Sequence, residues 1–238
     1  RFNDCSILIE WPAVIDDLVL KSILRFKYVI KKKYVKEKVE IVNTYHSILI
    51  IYPFTIDDVN GKISTLKALY LDQKETLIEQ SVVWELPVCY DDKFGVDLEV
   101  LSTHKGLTKA EVISYHSQPF YTVFFIGFLP GFLYLGGLDS RLFLDRKNTP
   151  NLNVKKGSVA IGGQQTGIYP QDSPGGWHCI GNSPVEFFDA NQNPPCKIKA
   201  GDRVKFVPIE KPEYYHILNA VSKSQYQLKS ILSSAQGS

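Results

Sequence analysis

Ser6 to Glu10 is a short apolar run of strand length, and from Pro12 the apolar positions change period. Ile15, Leu18, Val19, Ile23, Phe26 and Ile30 then recur at the spacing that puts them on one face of a helix. Asp16 and Asp17 in its first turn and Lys31, Lys32 and Lys33 at its end follow the order a helix macrodipole favours. Val39 to Asn43 and His46 to Tyr52 predict two strands joined tightly near Thr44 and Tyr45. A second helix is predicted from Asp57 to Leu71, with Val59, Ile63, Leu66 and Tyr70 sharing a face. Gly61 inside it costs about 1 kcal/mol relative to alanine. Ser81 to Leu86 reads as the closing strand. The order β-α-β-β-α-β predicts an α+β domain over residues 1–89, a split-βαβ, ferredoxin-like sandwich. His46, at a strand start, reads as structural.

Pro87 and Tyr90-Asp91-Asp92 interrupt the pattern, which sets a domain boundary near residue 90. Asp97 to Lys105 predicts a helix stopped by Gly106. Thr108 and Glu111 form a T-x-x-E capping box that opens a helix to Ser117, ended by Pro119. Val112, Ile113 and His116 share its face, so His116 stands at a helix C-terminus, where imidazolium is favoured. It is either a cap for the last carbonyls or an acid, base or anion ligand for a nearby site. Phe120 to Phe125, Ser158 to Ile161, Val185 to Phe188 and Arg203 to Pro208 are strand-length runs separated by Gly-Gly, Pro-Gly-Gly, Pro-Pro and Gly-Asp turn signals. Short strands with this punctuation predict a β-barrel or sandwich over 90–210. Residues 211–238 are expected to be a partly helical tail.

Between Phe124 and Trp177 lie ten of the sixteen glycines and four of the thirteen prolines. Aromatic residues are set among them. Turns, close backbone approach and flat apolar walls describe a pocket lining or a docking surface, and equally a turn-rich barrel. Arg146 offers a planar fork for a carboxylate or phosphate, with a surface ion pair as the plainer alternative. Gln164, Gln165 and Thr166 follow a Gly-Gly turn, and Gly175-Gly176 could present backbone N–H groups as an anion nest. Phe128, Phe132, Tyr134, Tyr169 and Trp177 are the candidate walls.

Composition narrows the chemistry. A net charge of +2 argues against nucleic acid as the main partner. No apolar run reaches the length of a membrane span, and no signal-peptide pattern opens the chain, so a cytoplasmic protein is expected. The four cysteines, at 5, 89, 179 and 196, form no CxxC pair or zinc spacing, and no metal site is expected. There is no phosphate loop, no G-x-G-x-x-G, no H-E-x-x-H and no G-x-S-x-G.

Three segments are more specific: GFLPGFLYLGG from Gly127, GSVAIGGQQTGIYP from Gly157, and SPGGW from Ser173. They resemble one prokaryotic family: the B component of 5-oxoprolinase, Kip-type kinase inhibitors and "allophanate hydrolase subunit 1". That family shares its domain with the carboxyltransferase part of urea carboxylase. The resemblance implies an N-terminal α+β domain and a C-terminal cyclophilin-like β-barrel. It also implies a related C component and a separate A component as partners, and ATP-dependent opening of 5-oxo-L-proline to L-glutamate. The implied cofactor is ATP with magnesium, placed toward the partner, since this chain has no phosphate loop. By position, His116 and Arg146 become the catalytic candidates. Phe128, Pro130, Gly131, Phe132, Tyr134, Gln165, Thr166, Tyr169, Gly175, Gly176 and Trp177 become the substrate or nucleotide pocket. One departure stands out: Asp145-Arg146 and Pro150-Asn151 replace two Pro-Arg pairs, so a second arginine is missing. The alternative the resemblance implies is a binding protein that blocks autophosphorylation of a sensor histidine kinase.

Overall fold

Asp16 decides where the first helix begins. Its carboxylate accepts from the N–H groups of Leu18 (2.8 Å) and Val19 (3.1 Å), so α1 runs over Asp17–Lys33 and not from Pro12. Asp58 does the same for α2 (Val59–Leu71), accepting from Gly61 N–H at 2.8 Å. A Cβ on Gly61 would lie 2.0 Å from that carboxylate, so the glycine that weakens the helix also lets its cap close. The computed structural model describes residues 2–72 and 81–232, which fall into two units, Arg1–Glu79 and Gln80–Ser238.

In the first unit β1 (Ser6–Glu10), β2 (Glu40–Asn43) and β3 (Ser47–Ile51) form an antiparallel sheet in the order β1-β3-β2. Ile7, Ile48 and Ile50 pack with Ile23, Phe26 and Ile30 of α1 and Leu66 of α2. The strand expected to close this sheet does not belong to it. Instead, β4 (Val82–Val88) runs parallel to β12 (Arg203–Pro208) and antiparallel to β13 (Ser230–Leu232) in the second unit. Leu86 and Val88 are fully buried there with Val204 and Phe206, as a nearly continuous apolar strand requires. The split-βαβ reading is therefore corrected: among the described residues this sheet has three strands. The unit division also precedes the boundary expected near residue 90.

The second unit begins with β4, then α3 (Leu98–Lys105) and α4 (Lys109–Ser117). Gly106 takes φ +63° at the end of α3, and the Thr108–Glu111 capping box is formed. There follow β5 (Tyr121–Ile126), β6 (Leu133–Gly136), β7 (Asn151–Val154), β8 (Ser158–Gly162), β9 (Gln165–Ile168), β10 (Ser173–Gly175), β11 (His178–Asn182), β12, α5 (Lys211–Ser222) and β13. Eight strands form one sheet in the order β11-β8-β9-β6-β5-β12-β4-β13, while β10 pairs with β7. Cys89, just past β4, exchanges two backbone hydrogen bonds of 2.9 Å with Asn182 at the end of β11.

Val185–Phe188, expected as a strand, joins no ladder. Val185 and Phe187 still enter the core while Glu186 stays exposed, so the alternation that suggests a strand reflects burial alone. The expected tail supplies α5 and β13, and residues 233–238 lie outside the described residues. No helix among the described residues is long and apolar enough to cross a membrane.

Register sorts the sheet's two faces. Tyr134 and Ala160 each pair with Gly167, whereas Leu135 and Ile161 each pair with Thr166. Paired residues share a face and successive residues alternate. One face therefore carries Tyr134, Ala160 and Gly167, and the other carries Leu135, Ile161 and Thr166.

Candidate functional site

On the first of those faces an aromatic cluster forms around Phe132, which is 2% exposed. Its ring centroid lies 4.7 Å from that of Tyr134, 5.0 Å from Tyr169 and 5.6 Å from Trp177. Glycines let the rings sit this close to the sheet. A Cβ on Gly162 would lie 2.5 Å from the Trp177 indole, and one on Gly167 2.9 Å from Phe132. A Cβ on Gly175 would stand 2.2 Å from the Tyr169 hydroxyl. We expect Gly162→Ala to cost about 1–3 kcal/mol through overpacking. Gly163→Ala, with open space but φ +66°, should cost only the backbone strain, about 1–2 kcal/mol. Urea denaturation of both variants tests that ordering.

The loop from Gly127 folds over this cluster. Phe128 takes φ +63° and is 64% exposed, its ring 5.7 Å from that of Phe132. Pro130 is exposed, and Gly131 takes φ +86°, where an added Cβ would lie 2.8 Å from that of Phe188. Gln165 faces the same side as Gly167 by strand alternation.

Arg146 is exposed with its guanidinium 5.7 Å from the Trp177 ring centroid. It is held there by its neighbours. Lys147 N–H donates to Gly176 carbonyl at 2.7 Å, and His178 Nε2 lies 3.0 Å from the carbonyl of Asp145. Lys147 Nζ reaches Asp97 at 2.7 Å, and the other end of that contact is structural: Asp97 also accepts from Cys179 N–H at 2.7 Å. Burial pushes the Tyr169 hydroxyl up to about 12, so it is a neutral donor at neutral pH, although the nearby Arg146 opposes the shift. Arg146 thus stands as an exposed cation on the rim of a buried aromatic floor.

Gly175-Gly176 does not form the expected nest. Gly175 is extended within β10, and neither glycine takes the positive φ that an αR–αL nest uses. Glycine at 175 is demanded by Tyr169 instead.

His116 lies elsewhere. Its side chain is fully buried, with Nδ1 2.8 Å from the Tyr90 hydroxyl and Nε2 2.9 Å from Thr166 Oγ1. Thr166 spends its only proton on the carbonyl of Ala160 at 3.0 Å, so toward His116 it can only accept. The imidazole is therefore the neutral Nε2–H tautomer, and Tyr90 donates to Nδ1. Burial holds His116 down at about 3, and the ring stacks on Phe206 at 4.5 Å. Desolvation overrides the helix C-terminus here, and imidazolium does not form at neutral pH. Because Thr166 is on the face opposite Tyr134 and Gly167, the sheet separates His116 from Arg146 and the aromatic cluster.

The structure thus gathers Phe128, Phe132, Tyr134, Tyr169, Gly175, Gly176, Trp177 and Arg146, and leaves His116 and Thr166 in the core behind them. Sequence reasoning misses Tyr90, Asp97 and Lys147. Asp97 reads only as a helix start, and it makes no side-chain cap there. No local signal pairs these residues with partners so distant along the chain. Among the described residues no three His, Cys, Asp or Glu side chains group as metal ligands.

A family model described as the carboxyltransferase domain, subdomain C and D, matches residues 1–198. The chain is 45% identical over 131 residues to the B component of 5-oxoprolinase from Bacillus subtilis, covering 55% of each. It is 40% identical over 169 residues to the protein of that name from Haemophilus influenzae, covering 71% of this chain and 78% of that one. The match to the Bacillus subtilis relative thus spans little more than half its length. The K. lactis urea amidolyase shares the fold with a TM-score of 0.82 at 18% identity, over 97% of this chain and 16% of that one.

Proposed function

The chain belongs to the carboxyltransferase family of subdomains C and D, and on that premise we propose that it is the B component of an ATP-dependent 5-oxoprolinase. With the A and C components it opens 5-oxo-L-proline to L-glutamate. The observation that carries this reading is the 40% identity across 78% of the Haemophilus influenzae protein.

In this reading the exposed fork of Arg146 holds an anionic group of the substrate against the Trp177 face. The neutral Tyr169 hydroxyl keeps the floor free of negative charge. His116 acts as a positioning residue: through Thr166 it fixes β9, whose other face bears Gly167 and the aromatic rings. A lactam is a poor electrophile, and ATP supplies a phosphoryl group that turns its oxygen into a leaving group. The residues here do not fit a triphosphate, since Arg146 is the one cation that the described residues place over these rings and the glycine pair forms no nest. We therefore assign the nucleotide and its magnesium to a partner chain. Phe128 and Leu152, 64% and 74% exposed, supply the apolar surface on which the C component completes the site.

The same reading takes the large sheet as a cyclophilin-like barrel, supported by the Cys89–Asn182 bridge, and the protein as cytoplasmic, supported by four free thiols. The test mixes the purified protein with the A and C components, 5-oxoproline and ATP, and measures glutamate. Release that requires all three proteins is expected, and release from the A and C components alone would overturn the assignment. The exposed Phe128 also favours a second reading, a docking protein that blocks autophosphorylation of a sensor histidine kinase. Phosphate incorporation by such a kinase, unchanged on adding this protein, excludes that reading.

A further inference from the structure

His178 opens β11 next to Trp177, and its two ring nitrogens are placed unequally. Nε2 lies 3.0 Å from the Asp145 carbonyl, which can only accept, so Nε2 carries a proton whatever the charge of the ring. Nδ1 is buried and has no hydrogen-bond partner among the described residues. It is an acceptor without a donor in the neutral ring and a donor without an acceptor in the charged one. A buried polar atom left in that state weakens a fold, so stability alone does not account for an imidazole here.

Proton transfer to a substrate does not account for it either. One nitrogen is committed and the other is sealed. Register also puts the ring on the wrong side of the sheet: His178 pairs with Ile161, on the face opposite Tyr134 and Gly167. His178 therefore acts through another residue, and its bond to Asp145 shows which.

Arg146 stands between two peptide planes, and both are held. The Asp145 carbonyl belongs to the plane before its Cα and is held by His178. The Lys147 N–H belongs to the plane after it and donates to the Gly176 carbonyl at 2.7 Å. Fixing both planar units fixes φ and ψ of Arg146, and with them the direction in which its side chain leaves the backbone. Gly176 and His178, the two anchors, flank Trp177, whose ring centroid lies 5.7 Å from the guanidinium. We propose that His178 is a positioning residue for Arg146: its Nε2–H and the Gly176 carbonyl clamp the peptide units on either side and aim the guanidinium along the Trp177 face. The functional consequence rests on the reading above, in which Arg146 holds the anionic group of the substrate.

The test compares His178→Leu, which removes the donor, with His178→Gln, whose amide N–H extends about as far as Nε2. Two measurements separate aim from activity. In the chain alone, the Nε–H resonance of Arg146, identified by its absence in Arg146→Ala, reports the ring current of Trp177. It should move in His178→Leu and return in His178→Gln. In the reconstituted complex, His178→Leu should lower turnover about 10- to 100-fold, as misplacement of a binding group does, while the urea midpoint stays near wild type. His178→Gln should recover most of that loss. His178→Leu added to Arg146→Ala should cost nothing further, because both act through one group. An unmoved Arg146 resonance in His178→Leu, or losses that multiply in the double variant, overturns the proposal. If Arg146→Ala turns over like wild type, the substrate reading fails instead, and the resonance alone decides whether His178 aims Arg146.

Discussion

His116→Ala is expected to destabilise the protein by about 3–5 kcal/mol, as removal of a large buried ring does. Two effects add to the cavity. The Tyr90 hydroxyl loses its acceptor at 2.8 Å, and an orphaned buried group costs about 1–3 kcal/mol, whereas Thr166 Oγ1 loses the imidazole N–H at 2.9 Å but keeps its own bond to the Ala160 carbonyl. The same residue sets an acid limit. The native imidazole titrates near 3, whereas the unfolded one titrates near 6.5. Between those values the unfolded chain binds the extra proton, so stability falls as pH falls, by about 1.4 kcal/mol per unit, and is fully present above 6.5. His116→Gln, which can keep part of the hydrogen bonding but cannot titrate, should lose that slope while the carboxylates still contribute theirs. Urea denaturation from pH 7 to pH 4 measures the difference. A slope shared by wild type and His116→Gln would show that His116 is not held neutral. A His116→Gln variant that is stable but inactive in the assembled complex would restore a direct chemical role for the ring.

That residue also marks where sequence reasoning stops. A T-x-x-E box and a face of Val112, Ile113 and His116 locate the helix, because capping and periodicity act over a few residues. The same logic carries α2, α3 and β12 nearly to their ends. The sign of His116's environment is not local. It depends on Tyr90, twenty-six positions away, and Thr166, fifty away, arriving at its two nitrogens. Strand β4 fails for the same reason. Its apolar run reads correctly as a buried strand, but which sheet buries it is decided by β12, at the far end of the chain. The ring cluster is legible in the glycine stretch because close packing of rings on a sheet needs glycine wherever the rings land. Which face those rings occupy follows only from register, which composition does not contain.

Trp177→Ala and Arg146→Ala should separate folding from function at the aromatic rim. Trp177 is 4% exposed, and its ring lies against Gly162 and Gly167 and edge-on to Phe132 and Tyr134. Its removal empties the middle of the cluster and should cost about 3–5 kcal/mol, with loss of turnover following from the collapse. Arg146 stands over that ring from the solvent side, and an exposed cation–π contact is worth only about 0.5–1 kcal/mol. Arg146→Ala should therefore leave the urea midpoint nearly unchanged. Turnover of the reconstituted complex should fall about 100- to 1,000-fold, as when a placed electrostatic donor is removed from a site. Arg146→Lys keeps the charge but not the planar fork, so it should recover only part of that loss. If Arg146→Ala instead turned over like wild type, the rim would bind no charge. The aromatic cluster would then be a docking surface alone, its floor serving to hold Phe128 out for a partner.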